Sequence, residues 1–449
     1  MTKRTKTFPQ GGIHPKDTKL SADRPIEQAA LPETAAIFLS QHIGAPAKPV
    51  VQAGDKVKAG QVIAESAGFI STHIHSSVSG TVLKFDTVMD HSGYKKSAVL
   101  IKVEGDEWLE GIDRSPEIKT EITATPDEIR QKVQQAGIVG LGGATFPSHV
   151  KLGVPDGKTA EFLLINGVEC EPYLTSDHCL MLERGQEMLT GVRIALKAIG
   201  INKAMIGIEE NKPDAIAHLS DLTKDDPQIE VVPLKVWYPQ GGERQLVKAL
   251  VNREIPPPPK GLPIDVGCVV LNVATCFAIY EAVQKSKPLV ERVVTVTGKA
   301  VKRPSNFLAR IGTPLAQLVE AAGGLPEGTG KIVSGGPMMG KSLPTLDVPI
   351  TKGTGGIVLF PAAESKRKET VECIRCGKCV SVCPLGLEPY LMMTLADKDL
   401  LERAEQERIT SCCECACCVF ICPSNRPLLD HIRLGKTKVL NLMRARQKT

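Results

Sequence analysis

No apolar run in this chain is long enough to cross a bilayer. The most apolar window, residues 267–283, is interrupted by Asn272 and Thr275 and bounded by Glu281, whereas a spanning helix needs about 20 consecutive apolar residues. Any membrane association is therefore expected to be peripheral. Charge of one sign is also scarce: 55 Lys and Arg against 50 Asp and Glu leave a net charge of +5 over 449 residues. The basic residues are spread along the chain apart from the tail, so nucleic acid is not an expected partner. The stretch Met1 to Gly12 carries Lys3, Arg4 and Lys6 without an apolar core of signal-peptide length behind them, which argues for a cytoplasmic protein.

What is present points to several domains and to metal. The length exceeds one ordinary core, and three or four domains are expected. Fourteen cysteines without a secretory segment indicate metal ligation in a reducing compartment, not a disulfide framework.

After an N-terminal arm (1–36), residues 37–105 alternate short β-rich pieces with glycine turns, as in Val57 to Ile63 and Ser79 to Leu83, which suits a small all-β module. Its pattern resembles the lipoyl/biotinyl-type barrel-sandwich hybrid, but His73-Ile74-His75 stands where carrier members present a lysine. A swinging-arm role is not expected, and the two histidines are expected to be exposed and not to hold metal. Thr125-Pro126-Asp127-Glu128 is a capping box with proline at the first helical position, and Ile129 and Val133 give the helix its apolar stripe. Strand candidates Phe162 to Ile165 and Ala204 to Ile208 flank a long helical stretch through Ala198, so residues 120–262 read as an α/β layer. The run Pro256 to Pro259 marks a rigid connection to a small α+β domain, residues 263–360, with a helix near Pro314 to Ala322. A charged linker, Glu364 to Glu369, leads into the cysteine-rich segment 366–433, and a basic tail (434–449) follows.

The spacing C-x2-C-x2-C-x3-C-P occurs twice: Cys373, Cys376, Cys379 and Cys383 before Pro384, and Cys412, Cys415, Cys418 and Cys422 before Pro423. Three thiolates from one tight turn can cap one face of an iron–sulfur cube, and the fourth cysteine serves the neighbouring cube. One 4Fe-4S cluster is therefore assigned to Cys373, Cys376, Cys379 and Cys422, and a second to Cys412, Cys415, Cys418 and Cys383. A pair of zinc sites would have no use for a third cysteine in each run. Cys413 and Cys417 interrupt the second run, but only the register from Cys412 repeats the spacing of the first. These two, with Cys170, Cys179, Cys268 and Cys276, are expected to be small buried residues. Helical character from Glu388 to Ile409 would set the two cubes at the ends of an antiparallel helical pair, a short electron wire.

The segment Gly140-Leu141-Gly142-Gly143-Ala144-Thr145-Phe146-Pro147 follows a helix, and Ser148 and Lys151 stand just beyond it. Backbone N–H groups of such a loop can approach a phosphate while a lysine neutralises it. It fails the dinucleotide fingerprint, since no strand directly precedes it. With Asn166-Gly167-Val168-Glu169-Cys170-Glu171-Pro172 downstream, it is similar to the FMN and NADH site of the complex I flavoprotein subunit. Adding Phe8-Pro9-Gln10-Gly11-Gly12-Ile13-His14-Pro15 and the two cysteine runs, the whole chain resembles the RnfC family of the ion-translocating Rnf electron transport complex.

That resemblance implies a multidomain α/β plus α+β protein: a barrel-sandwich hybrid, a Rossmann-like FMN domain, an SLBB domain of β-grasp type and a helical ferredoxin-like domain. It implies non-covalent FMN, NAD(H) as substrate, and partners among Rnf-type membrane subunits including a ferredoxin-like one. The place it implies is the cytoplasmic face of the bacterial inner membrane, and the basic tail could touch anionic lipid. By the same resemblance Gly140, Gly142, Gly143 and Ala144 would line FMN, and Lys151 and Asn166 would touch its ring or chain. Glu169 and Glu171 would border flavin and nicotinamide, with Phe146 against the nucleotide. Gly242 and Glu243 belong to a second acidic loop, and Asn272 and Thr275 to the segment gripping the flavin phosphate. The chain departs from the complex I pattern at Leu141, Val168 and Arg244, which replace an arginine, an aspartate and a glutamate. A flavin would convert hydride pairs from NADH into the single electrons that clusters accept. The contrasting reading is a relay or docking protein that binds no nucleotide.

Overall fold

A computed structural model describes residues 5–257 and 261–446. Of the proline run 256–259, only the first two residues fall within that range. The barrel-sandwich module is built from a four-stranded sheet, with strands Thr34–Phe38, Lys95–Val103, Gly80–Met89 and Lys56–Val57 in that order, and a three-stranded sheet facing it. Ile37, Ile63, Ile74, Val99 and Ile101 fill the space between the two sheets. The histidine expectation fails here. His75 is only 6 % exposed, because its hairpin packs on the C-terminal end of helix Pro126–Gln135, where Thr72 Oγ1 donates to Gln134 O at 3.1 Å.

That helix starts as the capping box dictates, with Thr125 Oγ1 accepting from Glu128 N and Glu128 returning the bond to Thr125 N at 2.7 Å. It leads into a parallel sheet ordered Ile229–Leu234, Ala204–Glu209, Phe162–Asn166, Cys268–Asn272. Strand order reverses beside Phe162–Asn166, and ligands of open α/β sheets bind outside the carboxyl ends of the strands at such a switch point. Asn166 and Asn272 end the two adjacent strands that flank this point and are register partners.

The sheet also corrects a boundary. The apolar window 267–283 is the strand Cys268–Asn272 followed by helix Val273–Gln284, so the fourth strand and its helix belong to the α/β layer and not to the α+β domain. The latter is a six-stranded sheet, Ile26–Gln28, Ser305–Arg310, Glu291–Thr297, Gly356–Pro361, Thr329–Ser334 and Lys341–Leu343, with helix Leu315–Ala321 on it. Its first strand comes from the N-terminal arm, pairing with Ser305–Arg310.

The C-terminal segment is helical, with Met392, Met393, Leu395, Ile409, Leu428, Ile432 and Val439 as its core. The stretch between the cysteine runs is not one helix but two, Pro389–Asp397 and Leu401–Gln406, broken at Lys398 to Leu400. The basic tail is no separate element. It continues helix Leu428–Arg446, and its cations are engaged by the protein: Lys436 with Glu414 at 3.0 Å, Arg446 with Glu405 at 2.7 Å, and Lys438 with Asp399. Residues 447–449 lie outside the described range. Among the described residues no helix is long and apolar enough to cross a membrane.

Candidate functional site

The two cysteine runs adopt the same backbone 39 positions apart. Arg375 and Glu414 have φ of 56° and 59°, and Gly377 and Ala416 have φ of 73° and 63°. Each run then turns into a short helix, Lys378–Ser381 or Cys417–Phe420. The turn after Cys422 is stitched to the start of the first run. Val371 N donates to Ser424 O at 3.1 Å and Ser424 Oγ to Glu372 O at 2.9 Å, which brings Cys422 beside Cys379.

Cys383, conversely, lies near Cys412 and Cys418. Cys383, Cys412, Cys415 and Cys418 line one small cavity of about 20 Å³ with Leu387, Met392, Leu429 and Ile432 around them, and Cys413 and Cys417 stand in the same wall. Backbone donors already point at two of the sulfurs: Leu387 N to Cys383 Sγ at 3.3 Å and Glu414 N to Cys412 Sγ at 3.4 Å. Burial pushes the Cys412 and Cys418 thiols up to about 12, so they keep their protons unless a cationic metal centre displaces them. Among the described residues no three His, Cys, Asp or Glu side chains are set to grip a single metal ion. Each run thus sends its last cysteine to the other run's group, within an apolar cage whose backbone N–H groups approach the sulfurs.

The two groups differ in exposure. Cys373 and Cys376 are exposed, whereas Cys383, Cys415 and Cys418 are buried. The second run is buried because it faces the α/β layer: Cys415 and Cys417 pack with Ile13 and Tyr238, and with Cys170, Met338, Val382 and Cys413 at the margin. Tyr238 is 2 % exposed. It sits between the Glu169-Cys170-Glu171 loop and the cysteines, and neither its position nor its contacts carried a signal in the sequence.

The glycine loop lies over the switch point. Gly140 N donates to Phe146 O at 2.9 Å and Leu141 N to Thr275 Oγ1 at 2.9 Å, closing the loop and tying it to helix Val273–Gln284. A Cβ on Gly142 would lie 2.8 Å from Asn272 Nδ2, whereas one on Gly143 would meet nothing within 4 Å. The loop therefore needs glycine to sit on Asn272 and leaves an open face at Gly143 and Ala144. Phe146 is half-buried at the loop's base. Asn272 is the N-cap of its helix, accepting from Ala274 N at 2.9 Å and donating to Asp177 Oδ2 at 2.6 Å. Lys151 Nζ reaches across to Val270 O at 3.1 Å and Glu243 Oε2 at 3.2 Å. Gly242 is the N-cap of the helix Glu243–Val251, and Asn166 Nδ2 holds the loop before it through Gly241 O at 2.8 Å.

The two acids of the Asn166-to-Pro172 loop are placed otherwise than at the cleft surface. Glu169 accepts from Asp177 N at 2.8 Å and His178 N at 3.1 Å, capping helix Ser176–Glu183. Glu171 accepts from Met338 N and Met339 N at 3.0 and 2.8 Å, joining the α+β domain to the α/β layer. Burial holds its carboxyl above the usual range, against those bonds and the nearby Lys19. Asp177, which sequence reasoning missed, is pushed up to about 7 by burial and by the neighbouring Glu169. Lys19, also missed, donates to Glu169 O, Glu171 O and Leu174 O. The opening Phe8-to-Pro15 motif works as a strap: Gly12 N donates to Val382 O at 2.9 Å, and Trp237 Nε1 to Gly11 O at 2.8 Å.

Fold and site together define a class: an α/β nucleotide-type domain joined through a buried contact to a twofold cysteine-run domain. Residues 133–281 match the Nuo51 FMN-binding domain, residues 6–106 the RnfC barrel sandwich hybrid domain and residues 293–342 the SLBB domain. Among curated relatives, the chain is 44 % identical to the C subunit of the proton-translocating ferredoxin:NAD(+) oxidoreductase complex of Clostridium ljungdahlii, over 89 % of this chain and 86 % of that one. It is 42 % identical to the Na(+)-translocating counterpart of Acetobacterium woodii, over 96 % and 97 %. The corresponding protein of the ion-translocating oxidoreductase complex of Rhodobacter capsulatus is 41 % identical, over 96 % and 83 %. A solved NAD+-reducing [NiFe]-hydrogenase chain shares the fold, with a TM-score of 0.51 at 20 % identity, over 73 % of this chain and 65 % of that one. The chain belongs to the RnfC family of ion-translocating oxidoreductase complexes.

Proposed function

We propose that this chain is the peripheral redox subunit of an ion-translocating complex, carrying electrons between NAD(H) and a ferredoxin-type partner through FMN and two 4Fe-4S clusters held by a C-terminal ferredoxin-like domain. The observation that carries the reading is the contact of the second cysteine run with the acidic loop of the α/β layer through Tyr238 and Cys170. It supports a continuous route from switch point to cysteines. Bound there, FMN supplies the exchange between hydride pairs and single electrons.

The chain's own residues fit that group. The face left at Gly143 and Ala144 suits a ring or chain laid on backbone, and Lys151 with the N-terminus of helix Val273–Gln284 suits a phosphate. Asn166 and Asn272 set the walls of the crevice. Glu169, Asp177 and Glu171 act as positioning residues, because their carboxylates tie the loop, the helix Ser176–Glu183 and the α+β sheet into one frame around it. Cluster one takes Cys373, Cys376, Cys379 and Cys422, and cluster two takes Cys412, Cys415, Cys418 and Cys383. Burial against the α/β layer makes cluster two the neighbour of the flavin, and exposure of Cys373 and Cys376 makes cluster one the outlet. Other Rnf-type subunits on the cytoplasmic membrane face would receive it there.

Reconstitution under argon should yield about eight irons and one FMN per chain, with NADH bleaching both chromophores. Zinc in place of iron, or protein that binds clusters but no flavin, would overturn the reading, the second result in favour of a nucleotide-free relay.

A further inference from the structure

The second cysteine run carries two thiols that the four-ligand assignment leaves unused. Cys413 lies in hydrogen-bonding contact with Cys415 as the donor, and Cys417 contacts Cys415 as the acceptor while Cys415 keeps its proton. Cys417 is fully buried, and its thiol donates to Tyr238 O at 4.0 Å. Both stand in the wall of the cavity lined by Cys383, Cys412, Cys415 and Cys418. The first run is an internal control with the same backbone. Thirty-nine positions earlier, the two sites hold Ile374 and Lys378, so cluster one has no thiol at either place.

We propose that Cys413 and Cys417 are thiol donors to the sulfur of Cys415 that raise the potential of cluster two, and only of cluster two. The inference rests on the two-cluster reading above. As a cluster ligand, Cys415 has lost its proton and can only accept, so Cys413 keeps its donation and the Cys417 S–H turns from Tyr238 O to the sulfur. Hydrogen bonds to cluster sulfur stabilise the more negative, reduced state more than the oxidised one, which moves the potential upward. The step concerned is addition of one electron to the cluster, with the thiol protons staying on Cys413 and Cys417. A higher potential at the cube beside Tyr238 favours its reduction from the flavin side.

The test is a redox titration of anaerobically reconstituted full-length protein followed by electron paramagnetic resonance. The variants are Cys413→Ile, which installs the residue of the first run, Cys417→Ala, and Cys413→Ser with Cys417→Ser. Iron and sulfide per chain should stay at the wild-type value in all of them. Cluster two should become harder to reduce in Cys413→Ile and Cys417→Ala, by about tenfold in its one-electron equilibrium, or 59 mV. The serine variants should recover most of that shift, since a hydroxyl also donates, and cluster one should not move. Equal potentials in all variants would overturn the proposal, as would loss of about four irons from Cys413→Ile or Cys417→Ala, which would make these residues ligands. Wild-type protein with fewer than two clusters would instead overturn the two-cluster reading itself.

Discussion

The two halves of the cysteine domain share a backbone and differ in surroundings. The first run meets solvent through Cys373 and Cys376, with Val371, Ile374, Tyr390 and Phe420 exposed nearby, Ile374 at 67 %. The second is walled in by Tyr238, Ile13 and the N-terminal strap. Cluster chemistry alone would need neither asymmetry, because either turn supplies three ligands. On the proposed two-cluster reading the difference gives a direction: the buried cube would exchange electrons inside the molecule and the exposed one across a surface.

The largest effect should come from removing one ligand on each side. Cys415→Ser should abolish reduction of cluster one by NADH, while chemical reduction of that cluster survives. Cys376→Ser should leave flavin and cluster two bleaching with NADH and block delivery to an external one-electron acceptor. Rapid-mixing absorption with resonance on frozen samples separates the two cases, and matching behaviour of both variants would break the proposed order.

The strap sharpens the contrast next. Gly11 has a φ of +66°, and a Cβ there would lie 2.5 Å from Cys383 O, so neither the conformation nor the space admits a side chain. Gly11→Ala should strain the turn bearing the fourth ligand of cluster two, at a cost of about 1–3 kcal/mol. The readout is selective loss of the cluster-two signal on mild oxidation, with cluster one intact. A smaller effect is expected at Glu171. Glu171→Ala removes the acceptor of the part-buried Met338 N–H and the exposed Met339 N–H, which costs about 1 kcal/mol of stability. Urea unfolding of the apoprotein should show it, and both cluster potentials should hold.

How much of this was legible in the sequence depends on the range of the signal. The cysteine spacing and the capping box at Thr125 are local rules, and each run lies within a dozen residues, so the resemblance between the two turns could be read directly. The crevice was half legible: Asn166 and Asn272 could be named from motif resemblance, but their pairing at a switch point needs the strand order. Glu169 and Glu171 look like cleft acids in one dimension, and only the fold reveals that their acceptors are spent on Asp177, His178, Met338 and Met339. His75 misled for the same reason. Alternation along a strand says which residues share a face, not whether another domain covers that face. Tyr238 and Lys19 left no trace and Gly11 was visible only as part of a motif, since their partners are far away along the chain.

The seam under the barrel-sandwich module supplies the smallest effect and a third environment to set against the two cubes. Lys352 is 1 % exposed, with Nζ donating to Gly137 O at 2.7 Å and His73 O at 3.0 Å. Burial pulls its ammonium down to about 7 from 10.5. His42, His73 and His75 face it, and His149 lies beside His42 and His73. Burial lowers all four below 6.5, with Glu65 opposing it at His73. For each of these groups the unfolded chain binds the proton more readily. Stability should therefore rise as pH climbs from about 7 to about 10.5 through the lysine and fall as pH drops below about 6.5 through the histidines. Lys352→Met should flatten the alkaline limb and leave the acid limb. The cluster signals should be unchanged between pH 7 and 9, because neither cysteine run touches this seam; a cluster that bleaches along with the lysine would mean that the seam, and not burial beside Tyr238, governs its environment.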